Sequence, residues 1–354
     1  MIAIYSPSHR LHAPEFEIFR GDRVACHETP VRADRVESRL AERGHTLQAA
    51  HIDSRAVLPM VHTSRYLSFL ENAWRDWLAL SHGNADLQPF PSVWPVRTLR
   101  SDREPANFTA RLGLYSMDNG CALVSGTWQA AKAAADAAAS SAALVLAGQK
   151  AVFCCTRPPG HHAGADFMGG YCFINNAAVA AQALLNGGAQ KVALLDVDYH
   201  HGNGTQSIFY ERADVLFVSI HGDPVTEYPF YLGHADEQGE GAGVGFNLNL
   251  PLPAGTSADG WFDALETACL RIAGHGADAL VVSLGLDAFA GDPISKFLLQ
   301  SSDFTLLGQR LGQLGLPTVF VLEGGYAAAE LGINAVNVLE GFEQAVSGAF
   351  DGPG

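Results

Sequence analysis

The chain has 354 residues, 48% hydrophobic and 17% charged, and 37 acidic against 22 basic side chains leave a net charge of -15. That apolar content excludes a disordered chain and suffices for a large core. The negative charge argues against nucleic acid or an anionic membrane as partner and favours a cationic ligand. Met1-Ile-Ala-Ile-Tyr-Ser has neither the basic segment nor the apolar length of an export signal, and no run of about 18 apolar residues suggests a membrane span. Cys26, Cys121, Cys154, Cys155, Cys172 and Cys269 are scattered without a CxxC. They read as reduced thiols of a cytoplasmic protein and speak against a cysteine-based zinc site.

In chain order, short β-branched runs predict strands at Ile2–Tyr5, Ala151–Cys155, Lys191–Asp196, Val215–Ser219, Phe246–Leu250, Ala279–Leu284 and Thr318–Leu322. Amphipathic patterns predict helices at Val31–Arg43, Ser64–Leu80, Thr127–Leu146, Ile174–Leu185, Ala258–Ala273 and Asp303–Leu314. Alternation of helices with near-continuous apolar strands predicts an α/β fold, a buried parallel sheet flanked by helices, in one domain spanning 1–354. Asn84–Gly120 resists the scheme: it holds Pro89, Pro91, Pro95 and Pro105 and the aromatics Phe90, Trp94, Phe108 and Tyr115, with little periodicity. A loop insertion this long, rich in aromatics, is expected to pack as an interface or a lid.

In such sheets ligands collect at the carboxyl ends of the strands. The polar clusters lie there: Arg157-Pro-Pro-Gly-His161-His162, Asp196-Val-Asp198-Tyr-His200-His201-Gly-Asn203, Gly285-Leu-Asp287 and Glu323-Gly-Gly-Tyr326. On an extended segment Asp196, Asp198 and His200 project from one face, with Val197 and Tyr199 opposite. Two carboxylates and an imidazole together call for a cation. Asp198 and His200 supply two metal ligands and Asp287 a third, leaving the open position that a catalytic zinc needs for water. The competing reading is a buried Asp–His pair without metal.

His161-His162, presented by a rigid Pro-Pro-Gly turn, suits proton transfer near neutral pH; the alternative is a pair of solvent-facing loop histidines. Asn203 either orients one of these histidines or caps the following helix. Tyr326, on a flexible glycine elbow, either donates to an oxyanion or is a turn residue. The glycine-rich Gly239–Gly245 precedes a strand, not a helix, and so is not a dinucleotide loop.

Together these residues resemble the zinc-dependent deacetylases that include histone deacetylases and bacterial acetylpolyamine amidohydrolases. The resemblance runs through Arg157-Pro-Pro-Gly-His-His-Ala-Gly, Gly169-Gly-Tyr-Cys-Phe-Ile-Asn-Asn, Leu195-Asp-Val-Asp-Tyr-His-His-Gly-Asn-Gly-Thr, Ser283-Leu-Gly-Leu-Asp and Leu322-Glu-Gly-Gly-Tyr. The acetylpolyamine branch is the more similar, through His9-Arg-Leu, His221-Gly-Asp-Pro, Asp292-Pro-Ile-Ser and the 84–120 insertion.

The resemblance implies an arginase/deacetylase-like three-layer fold with a mainly parallel sheet of about eight strands. It implies one zinc ion on Asp198, His200 and Asp287; arginases need an Asp-x-Asp pair for two metals, and here the second position is Phe289. His162 becomes the general base and acid, His161 its electrostatic partner and Tyr326 the oxyanion donor. Asp196 supports His161 and a structural potassium ion near Ser219, and Asn203 supports His162. Gly170, Tyr171 and Tyr228 line a tunnel for the substrate's alkyl chain.

The expected reaction is hydrolysis of acetyl groups from N-acetylated primary amines by a homodimer that pairs through 84–120. An acetyl-lysine protein deacetylase and a non-catalytic acetyl-amine binding protein are the alternatives. Carboxylates facing a distal ammonium are expected in the insertion, yet Phe108–Gly120 offers Asp118 alone, which leaves Glu17 as the candidate anchor.

Overall fold

The computed structural model describes residues 1–19 and 21–348. Its strands are β1 (Ile2–Tyr5), β2 (Glu17–Phe19), β3 (Asp22–Val24), β4 (Thr46–Ala49), β5 (Ala151–Cys154), β6 (Val192–Asp196), β7 (Val215–Gly222), β8 (Asn247–Leu252), β9 (Ala279–Leu284) and β10 (Thr318–Leu322). The helices are α1 (Pro30–Glu42), α2 (Leu58–Val61), α3 (Ser64–Leu80), α4 (Phe108–Leu114), α5 (Thr127–Leu146), α6 (Asn176–Asn186), α7 (Asn203–Phe209), α8 (Ala258–His275), α9 (Ser301–Gly312) and α10 (Ala328–Gly348).

An 8-stranded sheet runs in the order β4-β1-β5-β10-β9-β6-β7-β8, every pair parallel, as expected. Strands β5, β6, β7, β9 and β10 are buried along their whole length, because helices cover both faces. Successive residues nonetheless serve opposite layers. Val192 and Leu194 join the core under α5 and α6, while Ala193 and Leu195 join the core under α8, α9 and α10.

Among the described residues, β2, β3, β4, α2, α4 and α10 lie outside the pattern read in the sequence. β4 is an edge strand with three of four residues exposed, so it carries no apolar alternation to betray it. α10 hides its period behind glycines that allow close helix approach: a methyl on Gly341 would strike the Thr305 carbonyl of α9, and one on Gly332 the Arg35 carbonyl of α1. The short α2 and α4 are one and two turns long, too brief for a period to register. α4 lies inside the predicted loop, and the Asn107 side chain caps it by accepting the Ala110 amide at 3.0 Å.

The insertion is therefore partly core. Phe108, Leu112 and Tyr115 are buried, Phe90 and Trp94 are half-buried, and the large apolar side chains left outside, among charged ones, are aliphatic: Leu87, Val93, Val96 and Leu99, each at least 50% exposed.

Candidate active site

The ends of β5, β6, β9 and β10 meet, as the strand-end rule requires. The chain leaves the sheet after Asp196, so the segment to His200 turns instead of running on as a strand. The expected common face breaks in consequence. Asp196 swings to His161, its Oδ2 3.0 Å from Nδ1, while its Oδ1 accepts the Asp198 amide at 3.1 Å.

Asp198, His200 and Asp287 do come together, with one ligand atom from each within 4.8 Å of the others. His200 Nδ1 lies 3.0 Å from Asp287 Oδ2 and 3.3 Å from Asp198 Oδ1. Backbone amides hold both carboxylates in place: Gly324 donates to Asp198 and Tyr199 to Asp287, each at 2.8 Å. Gly285 and Gly324 must be glycine, since a methyl on either would collide with the Asp198 side chain.

Among the described residues, the ion pairs of Asp196, Asp198 and Asp287 are all with histidine, never with lysine or arginine. Burial alone would strip the proton from His200, yet Asp198 and Asp287 raise it to about 10. Two buried carboxylates short of positive charge, with an imidazole of the right reach, fit a divalent cation of the zinc class.

His161 and His162 are each 3% exposed, which removes the solvent-facing reading. Their backbone is pinned from β10: Glu323 Oε2 accepts the amides of Gly160 and His161 at 2.6 and 3.1 Å. The two rings lie 4.0 Å apart. Burial works against a charge on His161, but Asp198 and Asp196 outweigh it and lift the group to about 10. His162 is driven well below its usual range by burial, by His161 and by His200. Its Nδ1–H donates to Asn203 Oδ1 at 2.7 Å, which leaves Nε2 with the lone pair. Asn203 thus orients a histidine; the helix cap position belongs to Gly202.

Tyr326 follows Gly325, whose φ of 115° makes the bend, but the elbow is not flexible. Asp292 Oδ2 accepts the amides of Tyr326 and Ala327 at 2.6 and 3.3 Å, and the Arg32 guanidinium lies 4.7 Å from the Tyr326 ring centroid. Tyr171, in the left-handed region at φ 67°, faces Tyr326 at 5.8 Å. Tyr228 stands edge-on to His162 at 5.0 Å and to His200 at 6.0 Å. Gly170 packs so closely that a methyl there would hit the His162 ring.

The remaining residues sit further out. Glu17, on β2, pairs with the Tyr171 phenol and accepts the His27 amide at 3.4 Å, so it stands behind the Tyr171 ring. Ser219 is the register partner of Asp196 across β6 and β7, with its hydroxyl 2.8 Å from His221 Nδ1.

The sequence reading missed a buried ion triad beneath Tyr326. Glu28 Oε1 bridges Arg157 Nε at 2.7 Å and Arg32 Nη1 at 3.0 Å, all three residues at most 2% exposed. Arg32 also donates to the carbonyls of Gly325 and Glu323 at 2.6 and 2.5 Å. A signal existed: Arg32 lies on the α1 stripe with Ala33, Val36 and Leu40, where an unpaired charge has no place.

Burial would raise Glu28, but Arg157 and Arg32 prevail and hold it below the usual carboxylate range. Its stabilisation is therefore present above the unfolded value of about 4.3 and is lost as pH falls through the lower folded value. Glu28→Gln is expected to cost about 3–5 kcal/mol at pH 7, because it leaves two buried guanidinium groups without their anion. Urea unfolding measures the loss, and a change under 1 kcal/mol would contradict it.

The α/β fold thus brings two carboxylates and an imidazole together at its strand ends, with the buried His161–His162 pair beside them. The chain belongs to the histone deacetylase family, whose domain model matches residues 26–342. It is 52% identical over 344 residues to acetylpolyamine amidohydrolase 2 of Pseudomonas aeruginosa, covering 97% of this chain and 99% of that protein. It is 46% identical over 343 residues to the acetylpolyamine amidohydrolase of Mycoplana ramosa, covering 96% and 99%. The crystal structure of an acetylpolyamine aminohydrolase from Burkholderia pseudomallei superposes with a TM-score of 0.92 at 38% identity, covering 98% of this chain and 99% of that one.

Proposed function

We propose that the protein is a zinc-dependent amidohydrolase that removes acetyl groups from N-acetylated primary amines such as acetylpolyamines and releases acetate. One observation carries the reading: the Asp198–His200–Asp287 cluster lies next to His162, whose ring is 6.2 Å from that of His200 and whose Nε2 keeps its lone pair, with Tyr228 edge-on to both and Tyr171 set against Tyr326; we read the space between these rings as the substrate slot. The near-full-length similarity to acetylpolyamine amidohydrolases supports the substrate class.

Asp198, His200 and Asp287 would hold one zinc ion per chain. Zinc bound there supplies Lewis acidity to the amide carbonyl and lowers the pKa of water. His162 Nε2 takes the proton of the attacking water and returns it to the departing amine nitrogen. His161, held by Asp196 at 3.0 Å and packed 4.0 Å from the His162 ring, acts with burial to favour the neutral form of His162. Tyr326 donates its hydroxyl to the carbonyl oxygen as negative charge gathers there. Gly170, Tyr171 and Tyr228 grip the alkyl chain, and Glu17, expected as the ammonium anchor, instead holds the Tyr171 phenol from behind. Asp196 and Ser219, register partners across β6 and β7, would hold a structural potassium ion, which would supply positive charge beside the buried carboxylate.

The 1–354 chain acts as one deacetylase domain in the cytosol, a reading its six free cysteines support. Among the described residues no helix is long and apolar enough to cross a membrane. The net charge of -15 suits cationic amines and disfavours nucleic acid.

The protein pairs as a homodimer through 84–120, where the exposed Leu87, Val93, Val96 and Leu99 gather apolar surface. Because Phe108, Leu112 and Tyr115 belong to the core, the suitable test is V96D/L99D and not a deletion. Light scattering should report a dimer for the natural chain and a monomer for the variant. A monomeric natural chain would contradict the pairing.

The function is tested by kinetics on acetylputrescine, acetylcadaverine and an acetyl-lysine peptide side by side. The small acetylated diamines should show the higher kcat/KM. A faster peptide would establish a protein deacetylase instead, and no acetate from any of them would leave a binding protein.

A further inference from the structure

Asp118 ties the two walls of the slot together. Its Oδ2 accepts the Tyr228 hydroxyl at 2.6 Å and the Gly170 amide at 3.0 Å, and its Oδ1 accepts the Gly120 amide at 2.8 Å. Tyr228 forms one wall, edge-on to His162. Gly170 leads directly into Tyr171, which forms the other and faces Tyr326. A methyl on Gly170 would lie 3.0 Å from the Tyr228 hydroxyl, so the two walls are already in contact where the carboxylate joins them.

A carboxylate accepts at about four lone-pair positions. Three are occupied by donors from the protein, so Asp118, the lone carboxylate of Phe108–Gly120, is largely spent on holding the walls. We propose that Asp118 is a positioning residue: its bonds to Tyr228 and Gly170 set the width of the slot and select slender, unbranched acetylated amines over branched ones. The inference rests on the amidohydrolase reading above.

The geometry gives a direct physical reason. The phenol is held at its far end, so the Tyr228 side chain cannot swing about χ1 without breaking a charge-assisted bond. Loss of that bond frees the ring beside His162 and widens the slot. It also returns one acceptor position of Asp118 to solvent or substrate.

The experiment measures kcat and KM of the zinc-loaded protein on N-acetylputrescine, on N-acetylbutylamine, which lacks the distal ammonium, and on N-acetyl-2-methylbutylamine, which is branched. The natural chain should prefer the unbranched pair. Tyr228→Phe keeps the ring and removes the bond; it should raise KM for both unbranched substrates about tenfold, more than it lowers kcat, and erode the preference over the branched amine by about the same factor. Asp118→Asn, which takes the charge out of that bond, should shift both in the same direction, and the double variant should lose less than the sum of the two singles, since both act on the Tyr228 bond.

An unchanged preference in Tyr228→Phe would overturn the inference, as would additive losses in the double variant. A KM effect of Asp118→Asn confined to N-acetylputrescine would also overturn it, by making Asp118 an ammonium anchor. Should Asp118→Asn fail to fold, Tyr228→Phe decides alone. A natural chain that hydrolyses none of the three overturns the reaction itself, and with it any role in selectivity.

Discussion

Asp198→Ala and Asp287→Ala are each expected to abolish tight zinc binding and, with it, turnover. Either variant leaves two protein ligands where a zinc site of this type uses three. The two substitutions differ in collateral effect. Asp198 also accepts the amides of His200 and Gly324, so its loss loosens the loop that carries Tyr326. Asp287 accepts the Tyr199 amide, and Tyr199 packs into the core away from the slot. Asp287→Ala is thus the cleaner of the two. Metal analysis after dialysis against a chelator reads the outcome, and stoichiometric zinc retained by either variant would contradict the ligand assignment.

Tyr326→Phe is expected to lower kcat by about 10²–10³ with zinc content unchanged. The variant removes a single donor to the developing oxyanion, an interaction worth about 2.7–4 kcal/mol in comparable sites. It should leave the loop where it is. The backbone of Tyr326 and Ala327 is bound to Asp292, and the ring rests on Arg32, which is fixed by Glu28. None of these contacts involves the hydroxyl, so a fall in kcat would report chemistry and not displacement. Turnover equal to that of the natural chain would make Tyr326 a turn residue after all.

Much of the site was legible because a parallel sheet sends its ligands to one edge. The four polar clusters followed β5, β6, β9 and β10, and topology alone made them converge. What failed was the local geometry. Asp196, Asp198 and His200 alternate only while the chain stays extended, and it turns after Asp196; that carboxylate therefore serves His161 and not the cluster. Asn203 could not be assigned between cap and orienting group until its distance to His162 was known.

Arg32 and Asp292 escaped for another reason. Each acts on Tyr326 across about 30 or 300 residues of chain, and no spacing rule spans such a separation. In the insertion the prolines and aromatics correctly marked a packed segment, yet the rings turned inward and left aliphatic side chains outside. Composition tells that apolar surface exists, not which half of it faces solvent.

The central claim, acetyl-amine hydrolysis at a single zinc ion held by Asp198, His200 and Asp287, is tested most directly by titrating metal-free protein with zinc while following acetate released from N-acetylputrescine. Acetate release should start near zero, rise linearly with added zinc and level off at one ion per chain. Full activity before zinc is added, or none at one equivalent, would contradict it.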